Sequence, residues 1–376
     1  MNKIILIIIA ISFFSCQKEK RLSLEGNWQF DTIISLDESK GGYLHQKIVK
    51  ATHYNFTIKN DSIIHFNKGF FDVLYIPIRR DSTTSRAVYY LGTQTDYSRK
   101  DSLLIYYDKF FNKNDTIKLL EISSNELILK TSDDLTLKLV KKVNNYFDSS
   151  KYDAITISKE GCMGFCPINF TYLNRNGNFY FKNKDNNATR ADISTKLDKK
   201  KTIKLFNFFD KINLDNLEDN YYESVTDSEN IYISYFKNGK IIKTISVYVK
   251  CPIELEEAIN ELSFAYQNVP KENDYESILG YDWSFGFQFE NNNLTLLGSE
   301  SAFLEVELSK AKKVNIKFDE KFEIDPGYYE NKGKYKKILT DGRYYKFILK
   351  DNSSFVVDLG YNFIDKNPIL KKDRIF

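Results

Sequence analysis

Runs in which apolar and polar side chains alternate, each closed by a polar turn, constrain this 376-residue chain more than any other feature. Tyr54, Phe56 and Ile58 alternate with Asn55, Thr57 and Lys59; Asn60 and Asp61 then turn the chain back through residues 63–66. Leu127 and Leu129 lead to a second polar turn at residues 132–134, after which Leu135, Leu137 and Leu139 alternate with Thr136 and Lys138. A period of two buries one face of a strand and leaves the other to water, and the second run reads as a hairpin that closes a domain. Twenty-nine Phe and 26 Tyr against six Pro suit half-buried pleated sheets. The fold class expected is mainly β with an α+β middle domain.

The first β unit spans residues 24–143. Its opening, Leu24-Glu25-Gly26-Asn27-Trp28, followed by β structure that ends in strand, turn and strand, resembles the lipocalin-like domains of bacterial lipoproteins. The resemblance implies an antiparallel barrel whose first strand carries Gly26 and Trp28. The indole would close one end under a basic residue of the last strand, for which Lys141 and Lys142 are the candidates. A core tryptophan on another β-sandwich is the alternative. An eight-stranded barrel either encloses one small apolar ligand or fills its interior with its own side chains, and both remain open here.

A second unit, residues 153–268, orders its elements differently. A strand over 154–158 runs into Gly161-Cys162-Met163-Gly164-Phe165-Cys166-Pro167, and a hairpin follows over 168–173 and 179–181. Ile203, Phe206 and Asp210 with Leu205, Phe209 and Ile212 trace a helical stripe. Strands over 231–236 and 241–249 turn at Asn238-Gly239, and Pro252 opens a helix with Leu255, Ile259, Leu262 and Tyr266 on one face. The unit resembles a bacterial domain family of unknown function marked by a Cys-x-Gly-x-Cys-Pro loop after its first strand. No activity comes with that resemblance. A third, β-rich region covers 277–376. Leu24, Trp28, Phe30 and Leu279, Trp283, Phe285 share one spacing, which raises an internal repeat as a possibility.

The chain starts with Lys3 and an apolar run over residues 4–14 that is too short to span a bilayer and has the layout of a secretory signal. Phe13-Phe14-Ser15-Cys16 resembles the bacterial lipobox. That resemblance implies a signal peptide over 1–15, cleavage before Cys16, acyl chains such as palmitate on that cysteine, and a tether over 16–23. Each buried methylene adds about 0.8 kcal/mol to such an anchor. Gln17, Lys18, Glu19 and Lys20 resemble a surface-export tag of Gram-negative lipoproteins, which implies an outer-membrane lipoprotein exposed at the cell surface. A solvated, periplasm-facing tether is the alternative.

An exported cysteine pair with three residues between them is expected to be a disulfide, here Cys162–Cys166, in a loop that Gly164 lets bend. Two rival readings stay open. Soft-metal (copper) binding would add Met163 as a third ligand. Thiol redox chemistry would recruit Cys251, which precedes a helix start whose dipole would lower its pKa. Cys251 is otherwise a small buried residue, or the true partner of one of the loop cysteines.

His53 is expected on a solvent face and His65 in a return strand, neither has a carboxylate at metal-ligand spacing, and both, like His45, precede the cysteine loop. The Lys199–Lys201 run reads as the exposed start of a helix. With 54 Lys and Arg against 51 Asp and Glu, the net charge of +3 gives no reason to expect nucleic acid. No serine-hydrolase, phosphate-loop or zinc-protease motif is present. The expected protein is a non-enzyme without cofactor or resident metal. Its expected partners are the membrane through its lipid, a small apolar ligand in the first domain, and an extracellular protein or glycan.

Overall fold

The computed structural model describes residues 23–35, 44–77, 84–143, 147–189, 191–224, 226–270, 286–289, 292–325 and 335–371. The signal, Cys16, and the Leu279/Trp283/Phe285 half of the suspected repeat lie outside the described residues. Among the described residues no helix is long and apolar enough to cross a membrane.

Eight antiparallel strands form a closed barrel: β1 (Gly26–Ser35), β2 (Phe56–Ile58), β3 (Ile63–Pro77), β4 (Thr84–Lys100), β5 (Leu103–Asp108), β6 (Lys113–Ile122), β7 (Glu126–Lys130) and β8 (Thr136–Lys142). Pairing of β1 with β8 shuts the cylinder and sets Trp28 opposite Lys141. Trp28 is fully buried, its Nε1 donates to the Leu24 carbonyl at 2.7 Å, and Lys141 Nζ lies 5.4 Å from the ring centroid. Lys141 therefore takes the place over the indole. Gly26 opens β1 with φ +145°, and a Cβ there would collide with the Lys141 side chain.

A short helix, α1 (Leu44–Thr52), precedes β2, so His53 sits exposed in the turn after it instead of on a strand. The period-two reading of that stretch starts one step too early. Asn55, expected beside His53 on the solvent face, is buried because its side chain serves the backbone: Oδ1 accepts from Phe30 N at 2.6 Å and Nδ2 donates to Thr52 O at 2.5 Å. His65 lies on β3, with Nδ1 3.4 Å from Thr93 Oγ1.

Strands β3 and β4 are 15 and 17 residues long. The chain separates into two compact units, residues 1–67 with 93–144 and residues 68–92 with 145–376, so the outer part of this strand pair belongs to the second unit. Gly69 and Gly92, both with positive φ, stand next to the two crossing points.

The second unit is layered. Its middle sheet runs in the order β12 (Ile193–Lys196), β11 (Asn178–Asp185), β10 (Ile168–Asn174), β9 (Ala154–Lys159), β14 (Asn230–Lys237), β15 (Lys240–Tyr248), β13 (Asn220–Tyr222), and only β13 runs parallel to its neighbour. One face carries Ile155, Ile157, Ile233 and Ile245 against α2 (Lys199–Asp210) and α3 (Ile253–Ser263). On α2 the exposed start is Lys199–Lys201, capped by Asp198. The buried stripe is Thr202, Leu205, Phe206, Phe209 and Asp210. Ile203, assigned to that stripe from its spacing, is 49% exposed, since the buried face lies one position further round.

The opposite face of the same sheet is covered by α4 (Gly298–Lys310), a helix in the region expected to be strand-like. A second seven-stranded sheet completes the unit: β17 (Asn292–Thr295), β16 (Gly286–Phe289), β19 (Phe322–Asp325), β20 (Tyr335–Thr340), β21 (Tyr344–Leu349), β22 (Ser354–Asp358) and β18 (Lys312–Val314). Residues of both sheets share one core with α4: Phe303 stacks on Phe236 at 3.7 Å, and Leu304 and Val306 are buried with Ile338 and Phe347.

The join between α4 and the middle sheet is polar as well as apolar. Ser234 Oγ lies 2.9 Å from Thr244 Oγ1 and 2.7 Å from Ser299 Oγ, Thr156 Oγ1 donates to Ser299 O at 2.8 Å, and Thr244 Oγ1 donates to Glu300 Oε1 at 2.6 Å. Lys182 and Glu305 pair at 2.8 Å with both side chains 4% exposed. Gly298 allows this approach, because a Cβ there would collide with Ser158 Oγ.

Glu305→Ala removes the carboxylate paired with the buried Lys182 ammonium and should destabilise the second unit by about 3–5 kcal/mol, whereas the double change Lys182→Met with Glu305→Leu should cost far less. Urea unfolding monitored by far-UV circular dichroism measures both.

Candidate functional site

At the far end of β9 the apolar alternation Ile155, Ile157 is continued by Lys159, a lysine only 5% exposed at its side chain. A buried ammonium needs a partner, and Glu229, in the segment leading into β14, supplies it: Oε2 lies 3.2 Å from Lys159 Nζ. The Phe264 ring lies 5.0 Å from the same nitrogen. Register places the pair, because Ile231 faces Lys159 and Glu160 N bonds Asn230 O at 2.8 Å.

The outer part of β3 and β4 packs over this corner. Phe71, Tyr90 and Phe264 form a ring cluster with centroids 5.2–5.6 Å apart. Lys68 Nζ lies 3.3 Å from Glu256 on the first turn of α3, and Tyr90 OH donates to Glu261 at 3.1 Å. Val88 N bonds Asn186 O at 3.0 Å. Between these elements lies a half-open cleft of about 340 Å³, a volume at the small end of ligand sites. Its wall is mostly apolar, with Phe71, Ile231, Val247 and Val249, and its polar members include Lys159, Glu229, Glu256 and Cys251.

Burial pushes the carboxyl groups of Glu229 and Glu256 above the usual range, against the pull of Lys159 and Lys68 respectively. Val249 adopts φ +80°, which a β-branched residue does only at a cost of about 1–3 kcal/mol. Strain of that kind and carboxyls with raised pKa values gather at functional sites.

The disulfide loop adjoins the cleft through Pro167. Cys162 and Cys166 are joined, with Cα atoms 5.7 Å apart, and Met163 at the loop apex is 85% exposed. Asn186 Nδ2 donates to Cys166 O at 3.2 Å, and the Arg86 guanidinium lies 3.3 Å from the centroid of the Phe165 ring. Cys251 is a free, partly buried thiol packed on the core beside the cleft. Burial, then the charge of Glu256, pushes its pKa well up, opposite to the helix-dipole expectation, because desolvation outweighs the dipole and the first turn of α3 is acidic.

Gly26 and Trp28 belong to the barrel and Cys162, Cys166 and Cys251 to the second unit. The cleft residues Lys159, Glu229 and Glu256 were not singled out from the sequence. One signal was there to find: a lysine continuing the apolar face of a strand.

The family described as Domain of unknown function (DUF6438) matches residues 153–266, which contain the disulfide loop and most of the cleft wall. Neither the curated proteins nor the solved structures contain a match.

A carboxyl whose folded pKa is raised binds its proton more tightly folded than unfolded. Its contribution to stability is fully present below the ordinary carboxylate range and is lost as pH rises through the raised value. The stability of the parent protein relative to Glu256→Gln should therefore fall as pH rises out of the ordinary carboxylate range, measured by urea unfolding at each pH. A flat difference would contradict the raised carboxyl.

Proposed function

We propose that this is a lipid-anchored envelope protein, displayed at the outer membrane or cell surface, whose role is to bind a small ligand at the cleft of the second unit without transforming it. The observation that carries the reading is the cleft itself: a mostly apolar wall, few convergent polar groups, two carboxyls with raised pKa values and a strained Val249 in one place. The anchor rests on the signal-like start and on Cys16 in its lipobox-like setting. A binding role at a surface also accommodates an extracellular protein or glycan as the bearer of the ligand.

The cleft is preferred to the barrel because large side chains, Trp28, Phe56, Phe66 and Tyr106 among them, are buried within the barrel. Thiol redox or copper handling is less favoured. The loop sulfurs are bonded to each other, and a thiol with a raised pKa at Cys251 is a poor nucleophile at neutral pH.

The test is mass spectrometry of the protein purified from its own host. The reading expects an acylated Cys16 at the N-terminus, a closed Cys162–Cys166 bridge, and a small non-covalent adduct in the native spectrum that is lost in Ser228→Trp, which places an indole in the cleft wall. Free thiols with stoichiometric copper, or an unprocessed chain without acyl mass, would contradict it.

A further inference from the structure

Residues 196–204 hold five lysines and one acid, a local excess of four positive charges in a chain whose whole net charge is +3. Lys196 ends β12, and Lys199, Lys200, Lys201 and Lys204 stand on α2; all five are exposed. The one acid, Asp198, serves the backbone as helix cap, its Oδ1 accepting from Lys201 N at 2.8 Å. The stretch that displays these lysines is fixed from below. Leu197 N donates to Gly177 O at 2.8 Å, and Leu197, Thr202, Leu205 and Phe206 are buried.

The fold makes little use of the charges. Lys201 Nζ donates to the Asn268 carbonyl at 3.2 Å, but Lys196, Lys199 and Lys200 form no ion pair with a described residue. Lys204, with Lys211 further along, pulls on Glu261 of α3, a carboxylate that already accepts from Tyr90 OH at 3.1 Å. Asp210, the acid within α2, is buried and held by Tyr152 and Arg175. The first turn of a helix is also where the backbone dipole disfavours cations, and α2 puts three lysines and no acid there.

We propose that this lysine array is a docking surface for a bilayer carrying anionic phospholipids, with the ammonium groups at the lipid phosphates and Ile203 against the headgroup region. The surface goes beyond the binding reading above and needs neither the cleft nor an acyl chain on Cys16. Its charge selects an anionic partner. Two features favour a lipid sheet over a shaped partner. Every cation in the stretch is a lysine, a point charge suited to laterally mobile phosphates, and none is an arginine, whose fork reads one fixed phosphate or carboxylate. The array also offers apolar area among its charges, in the lysine stems and in Ile203, which is 49% exposed.

Co-sedimentation of the purified full-length protein with phosphatidylcholine vesicles, with and without phosphatidylglycerol, tests the surface. The readout is the ratio of the two partition coefficients, compared between proteins that share one N-terminus. The parent should prefer the anionic vesicles by at least about tenfold, since each lysine near such a surface contributes about fivefold. The triple variant Lys199→Gln, Lys200→Gln, Lys204→Gln should lose at least about tenfold of that preference. Its thermal midpoint should hold or rise, because cations leave the first turn of α2. An ionic strength of about 1 M, where the Debye length is about 3 Å, should erase the preference. Tryptophan emission of Ile203→Trp should shift to the blue on anionic vesicles, relative to the parent.

Equal preference in parent and triple variant, a preference that survives high salt, or no blue shift from Ile203→Trp on vesicles that bind it would overturn the proposal. Binding to heparin without binding to the anionic vesicles would overturn it too, and would assign the array to a soluble polyanion. If the triple variant fails to fold, Lys196→Gln with Lys204→Gln replaces it, and an unchanged preference there would count against the proposal in the same way. The native adduct in the preceding test decides the cleft separately.

Discussion

The second unit depends on one contact, the seating of α4 on the polar face of the middle sheet. A sheet made of β9, β10, β14 and β15 has two faces to cover, and α2 and α3 cover only the aliphatic one. The other presents Thr156, Ser158, Ser234 and Thr244 among Phe170 and Phe236, and it is buried. Burying hydroxyls is favourable only when they are hydrogen-bonded. Ser299 and Glu300 provide partners for Thr156, Ser234 and Thr244, Ser158 Oγ is left without one, and Phe303 and Leu304 provide apolar area. The Lys182–Glu305 pair adds little net stability by itself, since desolvation offsets attraction.

That contact reaches the cleft through the strands. Both faces of β9 and β14 are covered, Lys159 ends β9 opposite Ile231, and Glu229 stands two residues before Ile231, at the entry to β14. The outer part of β3 and β4 then closes one side through Phe71 and Lys68, and α3 closes another through Glu256. The C-terminal segment is tied into the same body: Ile241 N donates to Asn367 Oδ1 at 2.6 Å, and Asn367 Nδ2 donates to Gly239 O at 3.3 Å.

Much of this architecture is legible in the residues, and where it is not the reason is physical. The barrel strands and the Asn238-Gly239 hairpin are short-range patterns that period and turn chemistry report directly; Asn238 and Gly239 take φ of 51° and 78°, as such a turn requires. α4 escapes the same logic. Its sequence, GSESAFLEVELSK, buries serines and glutamates along with leucines, so no amphipathic stripe marks it. Thr156 and Ser158 are likewise buried, Thr156 bonded to Ser299 O and Ser158 Oγ without a partner, and polarity in sequence does not mark such burial. The cysteine loop announces itself by spacing, whereas Glu229 and Glu256 come together only through pairings distant in sequence. Neither has a local mark. Lys159 does, as a charge on an apolar face.

If α4 holds the middle sheet, the two should open together. Native-state hydrogen exchange on the full chain measures this directly. The amides of Ala302–Val306 and those of β9 and β14 should exchange with the same opening free energy and the same dependence on denaturant. Exchange of the α4 amides through a separate, lower-energy opening, with β9 and β14 still fully protected, would contradict the account.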